Sequence, residues 1–360
     1  MTTTPHTCIT VACNIRHLIA DARQLPLADA TIDLVVTSPP YWRKRDYGHH
    51  HQLGQEATPA AYTTAILDCL TEWRRVLTPT GSVFLNVGDG YRQRALAGIP
   101  GRIEAAAADA GWLLRNRIVW AKTRGVPDPA KDRLAPRYEY VLHLTPRHYF
   151  YDLPGYAEKY GRGANPGDVW HIEPERSLSP HLAPFPTELA RRAILLGCPR
   201  TVCTMCGHTA QRILAPSGEL DPSRPQARRA MALAAESGLT EQHLAAIRAT
   251  GISDAGKAQA IQTGTGRNSS EVQRLAAEAK QALGGYFREF TFGPRRTVGW
   301  TDCGHESPRR GRVLDPFSGS GSTGVAASVT GCDYIGADLD PACHRIAAGR
   351  LRQQPLLAAG

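Results

Sequence analysis

No apolar run in this 360-residue chain approaches the roughly 20 residues that span a bilayer, and the polar opening Met1 to His6 lacks the apolar core of a signal peptide. A cytoplasmic protein with no membrane association is expected. A disulfide framework is missing too. The nine cysteines are odd in number, and Cys8, Cys13, Cys69, Cys198, Cys332 and Cys343 are scattered among apolar neighbours. Acidic charge is in deficit, with 33 Asp and Glu against 42 Lys and Arg. The net charge of +9 and pI near 9.2 favour a polyanionic partner, because cations that neutralise phosphates release condensed counterions. At 42% hydrophobic the chain can bury a large core, and its length suits one sizeable domain with an insertion or second domain.

Apolar periodicity predicts alternating strands and helices. Strands are expected at 14–20, 32–36, 82–87, 113–120, 138–144 and 334–337, with Val313-Leu314 in a further one. Helices are expected at 60–77, where Ile66, Leu67, Leu70, Trp73 and Leu77 are spaced along one face, and at 101–110, 186–196 and 323–329. Pro79-Thr80-Gly81 reads as a turn. The polar stretches 43–55 and 122–133 read as loops, the first a mobile loop beside the site; the run His49-His50-His51 is given no catalytic role.

From Pro199 to Arg310 the composition shifts to Ala, Arg, Gln and Gly, with 15 basic against 10 acidic residues, a modest excess that makes this segment a candidate DNA reader. Helices are expected near 227–236, 241–249 and 272–283. Residues 241–261 have the layout of a helix-turn-helix whose second helix opens at Ser253; an alanine-rich bundle that only spaces the segment is the other reading. At its base, Cys203-Thr-Met-Cys206 forms a C-x-x-C turn and Cys303-Gly-His305 offers a second pair of ligands. Cys203, Cys206, Cys303 and His305 would suit tetrahedral Zn2+, with His208 as an alternative fourth ligand. Three segments follow: 1–198 and 311–360 as two parts of a catalytic domain, and 199–310 as a zinc-binding, mainly helical insertion.

Two motifs carry the chemistry. Asp315-Pro-Phe-Ser-Gly-Ser-Gly-Ser-Thr323 follows Val313-Leu314 and opens a helix, so its backbone N–H groups can approach a ligand closely. Asp338 ends the next strand 23 positions after Asp315, where a carboxylate can hold ribose hydroxyls, so an adenosine-bearing cofactor is expected. The other reading of Asp338 is a helix N-cap before Pro341. Thr37-Ser38-Pro39-Pro40-Tyr41 follows the strand at 32–36. Its prolines fix the backbone so that the Pro39 carbonyl and Ser38 hydroxyl can accept both hydrogens of an exocyclic amine, and Tyr41 offers a stacking face. Bending that nitrogen toward tetrahedral geometry aims its lone pair at a methyl donor, with no covalent cysteine.

These motifs resemble the β-class of site-specific DNA amino-methyltransferases, in which the catalytic motif precedes the cofactor motif. The likeness covers most of 14–198 and 293–352. It also rests on Arg45-Asp-Tyr-Gly48, Val83-Phe-Leu-Asn-Val-Gly-Asp89, Trp120-Ala-Lys122, Arg137-Tyr-Glu139 and His181-Leu-Ala-Pro-Phe-Pro186. It implies a Rossmann-like S-adenosylmethionine-dependent sheet with helices on both faces, acting on double-stranded DNA by base flipping in a bacterial or phage setting. It implies Phe317, Gly319, Ser320 and Gly321 beside the cofactor's methionine part, Asp338 on its ribose, Asp21 near its adenine and Pro184-Phe185 closing the pocket. Ser38 before Pro-Pro favours N4 of cytosine over N6 of adenine. Asp338 stands where the family commonly has Glu, and the segment between Glu139 and His181 is short for a recognition domain. A cognate restriction endonuclease and the choice between monomer and homodimer stay open. A zinc-containing DNA-binding regulator, or a methyltransferase for RNA or a small amine, are the competing classes. Trp42, Lys122 and Glu139 are further site candidates.

Overall fold

The computed structural model describes residues 13–125, 128–161, 163–175, 185–215, 217, 220–221, 225–249, 269–283 and 293–353. In chain order its elements are β1 (Ile15–Ile19), β2 (Ile32–Thr37), α1 (Pro59–Val76), β3 (Leu77–Val87), β4 (Tyr91–Arg92), β5 (Ala95–Leu96), α2 (Ile99–Asp109), β6 (Leu113–Lys122), β7 (Tyr138–Thr145), α3 (Leu153–Tyr160), β8 (Val169–Ile172) and α4 (Thr187–Gly197). Then come β9 (Thr201–Cys203), β10 (Arg212–Ala215), α5 (Pro225–Glu236), α6 (Glu241–Ala249), α7 (Ser270–Ala282), β11 (Arg296–Trp300), β12 (Pro308–Arg310), β13 (Arg312–Asp315), α8 (Ser322–Thr330), β14 (Asp333–Asp338) and α9 (Pro341–Gln353).

Local sequence explains the principal elements. Helix α1 starts where Thr58 accepts the Ala61 N–H at 3.1 Å and Pro59 supplies a preset φ; Tyr62, Ile66, Cys69, Leu70, Trp73 and Val76 then recur on its buried face. It hands over directly to β3, so Pro79 to Gly81 lies inside the strand, at a register shift against β2, rather than in a turn. Strand β2 is buried at every position, as a strand covered on both faces must be.

Eight strands form one sheet in the order β1-β14-β13-β2-β3-β7-β6-β8. All neighbours are parallel except β7, which runs against both β3 and β6. On one face α1 and α2 pack over Val35, Val83, Leu85 and Leu142. On the other, α4 approaches so closely that a Cβ at Gly197 would fall 2.8 Å from Leu34 and 2.9 Å from Phe84. The eighth strand, β8, was not expected. Its four residues, Val169-Trp-His-Ile172, alternate exposed and buried, but a run this short carries no readable period.

The order of strands fixes where ligands can sit. β13 and β2 are neighbours, with Val313 opposite Leu34 and Leu314 opposite Val35. The chain leaves β13 through α8 to β14 on one side, and leaves β2 through α1 to β3 on the other. A crevice opens at the carboxyl ends of two such strands, and both motif loops emerge there.

The chain divides into two compact units, one of 1–156, 165–211 and 301–360, the other of 157–164 and 212–300. The breaks fall inside the 199–310 segment read from composition, because the C-x-x-C turn and the β9–β12 ladder belong with the sheet. The smaller unit holds α5, α6, α7 and the β10–β11 pair, with an alanine-rich core of Leu220, Ala227, Ala230, Ala234, Ile247 and Ala279. The second helix of the expected helix-turn-helix, opening at Ser253, lies outside the described residues.

Candidate active site

Asp315 ties the two motif loops together. Its buried carboxylate accepts from Thr37 Oγ1 at 2.6 Å, just before Ser38, and from Thr323 Oγ1 at 2.7 Å, in the first turn of α8. The Phe317 N–H adds a third donor at 3.1 Å. Burial pushes this carboxyl up to about 6 even though these three donors pull it down. Asp315 is therefore wholly occupied by protein and does not line the adjacent cavity.

That cavity has a volume of about 320 Å³, within the size range of small-molecule sites. Ser38, Asp21, Phe185, Phe317, Gly319, Ser320 and Asp338 all line it. Gly319 has φ +47°, and a Cβ there would make only ordinary contact, 3.8 Å from the Phe317 carbonyl oxygen, so conformation is what favours glycine there. Its N–H donates to Asp338 Oδ2 at 2.8 Å, while Asp340 N–H donates to Oδ1 at 3.0 Å. A carboxylate has about four acceptor positions, so Asp338 keeps capacity for further donors. The N-cap role read for Asp338 falls two residues on: Asp340 accepts the Ala342 N–H at 2.7 Å and caps α9. Gly321 does not line the cavity. Its φ is +78°, and a Cβ there would fall 2.7 Å from Ala347 of α9, so it lets that helix pack.

At the other wall, Asp21 is clasped by Arg23, whose Nε and NH2 donate to its two oxygens at 2.9 and 2.6 Å. Burial raises this carboxyl, but the Arg23 hydrogen bonds outweigh it and leave it below the ordinary range. Pro184 lies outside the described residues. One contributor escaped the sequence reading. Arg350 of α9 donates to the Ser320 carbonyl at 3.1 Å and to the hydroxyls of Ser320 and Ser322 at 3.0 and 3.2 Å, which holds the glycine-rich loop from behind. Asp46, Tyr47, His49, Gln52 and Leu53 line the cavity, which puts the polar loop beside the site, as its sequence suggested.

Ser38 heads a chain of polar groups. Its Oγ donates to the Tyr41 hydroxyl at 3.3 Å, and Tyr41 donates to Glu139 Oε2 at 2.5 Å. Lys122 Nζ donates to Glu139 Oε1, also at 2.5 Å. Asn86 Nδ2 lies against all three acceptors, 3.3 Å from Ser38 Oγ, 2.8 Å from the Tyr41 oxygen and 3.0 Å from Glu139 Oε2. Burial, then the neighbouring Glu139 charge, holds the Tyr41 phenol well above the ordinary tyrosine range, so it stays protonated. The ring of Tyr41 lies against Gly88, where a methyl group would fall 2.5 Å from Cε2. Tyr62 fixes the loop by donating to the Pro40 carbonyl at 2.9 Å. Asn86 was not singled out from the sequence. It looks like one more residue of a buried strand until β7 is placed alongside, bringing Glu139 within reach. Its Oδ1 is buried without a partner among the described residues. Trp42, by contrast, is a packing residue whose indole N–H donates to the Glu56 carbonyl at 3.0 Å.

The cysteines sort as their neighbours suggested. Cys69, Cys198, Cys332 and Cys343 are buried and free, whereas Cys203, Cys206, Cys303 and His305 converge with their ligating atoms all within 4.8 Å of one another. His208 is not part of that cluster; its Nε2 is 3.0 Å from Thr301 Oγ1. No helix among the described residues is long and apolar enough to cross a membrane.

The N6/N4 methyltransferase family model, described as a DNA methylase, matches residues 32–201 and 305–349, more than half of the chain. Among curated relatives, Type II methyltransferase M.Cfr9I of Citrobacter freundii is 33% identical over 205 residues, covering 48% of this chain and 68% of that protein. Type II methyltransferase M.SmaI of Serratia marcescens is 31% identical over 222 residues, covering 52% and 75%. Among solved structures, the PvuII DNA methyltransferase (cytosine-N4-specific) superposes with a TM-score of 0.54 at 16% identity, over 97% of this chain and 89% of that one, a likeness of fold. The matched segments carry both motif loops and leave out 202–304, where the composition shifts. With its two loops meeting at the switch point of a methyltransferase sheet, this chain belongs to the DNA methylase family of N6- and N4-amino-methyltransferases.

Proposed function

We propose that the chain transfers a methyl group from S-adenosylmethionine to the N4 amino group of a cytosine flipped out of double-stranded DNA. The observation that carries this reading is Ser38 at the head of a hydrogen-bond chain ending on a carboxylate, in the wall of a cavity lined by Asp21 and Asp338. The cavity suits the cofactor. Asp338 has acceptor capacity left for ribose hydroxyls, Phe185 and Phe317 offer apolar walls, and the backbone at Gly319 is open to close approach. Bound there, S-adenosylmethionine would supply an electrophilic methyl on a sulfonium.

The residues then handle the amine and its proton. Ser38 Oγ and the Pro39 carbonyl accept the two amino hydrogens, which localises the nitrogen lone pair for attack. As the N–C bond forms, the bond from methyl to sulfur would break with its electron pair left on sulfur as a thioether, and one N–H bond of the amine breaks. Its proton goes to Ser38 Oγ, the Ser38 proton passes to Tyr41, and the Tyr41 proton passes to Glu139. The carboxylate ends neutral, with Lys122 beside it to hold the charge before transfer. The buried, unpartnered Asn86 Oδ1 leaves one more acceptor in this cluster.

Residues 212–300 are the proposed target reader, and the relatives named as Type II methyltransferases support a restriction-modification setting with a cognate endonuclease. Exchanging residues 212–300 between relatives of different target sequence should move the target with the segment; an unchanged target would sink that assignment. For the main reading, labelled S-adenosylmethionine and unmethylated plasmid are incubated with the protein, and the DNA is digested to nucleosides for mass spectrometry. N4-methylcytosine is the expected product. N6-methyladenine would overturn the base assignment, and cofactor binding with no modified base would overturn the reaction.

A further inference from the structure

We propose that Cys203, Cys206, Cys303 and His305 hold one structural Zn2+ that clamps together the two points where residues 212–300 leave and rejoin the sheet. Three thiols and an imidazole are soft donors that favour zinc over calcium or magnesium. At ordinary Zn–S and Zn–N lengths a tetrahedral site sets its ligand atoms about 3.3–3.8 Å apart. Cys203 Sγ and His305 Nδ1 stand 3.6 Å apart, and all four ligand atoms fall within 4.8 Å, so a small contraction closes the shell.

The backbone around the cluster is built for such a turn. Gly207 and Gly304, one residue beyond Cys206 and Cys303, have φ of +72° and +78°. Gly207 N–H donates to the Cys203 carbonyl at 3.0 Å, and Cys203 N–H donates to the His208 carbonyl at 2.8 Å. These bonds aim both thiols of the C-x-x-C turn to one side. The cluster is also tied to the catalytic sheet. Strand β9 pairs with β12, setting Cys203 opposite Pro308 and Val202 opposite Arg309. Arg309 grips the buried carboxylate of Asp33 in β2 through NH1 and NH2, at 2.5 and 3.0 Å. Asp33 also accepts the Arg312 N–H at 2.8 Å, at the start of the strand that leads to the Asp315 loop. A metal at the four ligands would therefore brace the two chain crossings against the strands that carry both motif loops.

Elemental analysis of the full-length protein, purified without added metal or chelator, should give one zinc per chain. Replacing it with Co2+ should give the visible bands of a tetrahedral ion and strong thiolate charge-transfer absorption, lost in Cys206→Ser. On chelation, amide exchange should quicken at 201–211 and 301–310 by tenfold or more while β2 and β3 stay protected. No bound metal with all three thiols reduced, an octahedral cobalt spectrum, or a Cys203–Cys206 disulfide in the freshly isolated protein would each overturn the proposal. The cobalt spectrum reads the wild-type chain, so it stays decisive if Cys206→Ser does not fold.

Discussion

The two loops that meet at the β13–β2 switch point are built on different principles. The Gly319 loop presents backbone: its shape comes from positive φ at Gly319 and Gly321, and its serine hydroxyls are held by protein, Ser320 and Ser322 by Arg350 and Ser318 by Tyr334. The Ser38 loop presents a side chain: its backbone is stiffened by two prolines and by Tyr62, and Ser38 Oγ is wired through Tyr41 to Glu139. A backbone cradle binds, because its N–H groups and carbonyls do not change state. A wired hydroxyl can move a proton. Binding and chemistry should therefore be separable by mutation except where the loops are tied together, above all at Asp315, whose carboxylate is bonded to Thr37 on one side and Thr323 on the other.

The largest effect is expected there. Asp315→Ala strands the buried hydroxyls of Thr37 and Thr323, at a cost of about 2–4 kcal/mol. Denaturant titration should show that loss, and cofactor affinity and methyl transfer should fall together. A variant that lost only one would break the comparison. The same carboxyl makes a pH prediction. Its folded pKa of about 6 is above the ordinary 3.8, so its contribution to stability is complete below pH 3.8 and is lost as pH rises through 6. Asp315→Asn removes that dependence. The stability of wild type minus variant should fall by about 3 kcal/mol between pH 3.8 and 7, measured by denaturant midpoints across the range.

Glu139→Gln should act on chemistry alone, lowering kcat by about 10- to 100-fold with cofactor KM unchanged, because the proton from Ser38 and Tyr41 loses its acceptor. A rise in KM with kcat intact would make Glu139 a packing residue. Smaller again is Asp338→Ala, with cofactor KM raised about tenfold at near-normal kcat, as loss of a charged hydrogen-bond acceptor predicts. Steady-state kinetics with varied S-adenosylmethionine checks both.

What the sequence disclosed follows the same division. Each motif loop was legible because its chemistry is local: glycines and an aspartate in one, Ser-Pro-Pro-Tyr in the other. The alternation of strands and helices followed from the apolar periods, but the order and mixed sense of the sheet did not, and neither did β8. The supports were hidden because they arrive from elsewhere. Arg350 lies 30 residues past Ser320 on an otherwise ordinary helix, and Asn86 sits between Leu85 and Val87 with no local sign of a partner. Lys122 and Glu139 were site candidates, in segments that carry the family resemblance, yet their bond to each other depends on β6 pairing with β7. The Cys203, Cys206, Cys303 and His305 cluster was visible as spacing. That their turns belong with the sheet required the Arg309–Asp33 pair, 276 residues apart in sequence.

Ser38→Ala tests the division of labour most directly. It removes the first hydroxyl of the proton chain and touches neither Asp338 nor Gly319. Calorimetry and single-turnover methyl transfer on the same preparation should give wild-type affinity for S-adenosylmethionine and a transfer rate lower by about 100- to 1000-fold, the scale of losing one positioned transition-state hydrogen bond. Transfer within a factor of about two of wild type, less than 0.5 kcal/mol in the barrier, would show that the amino group is not handled by Ser38 and would contradict the account.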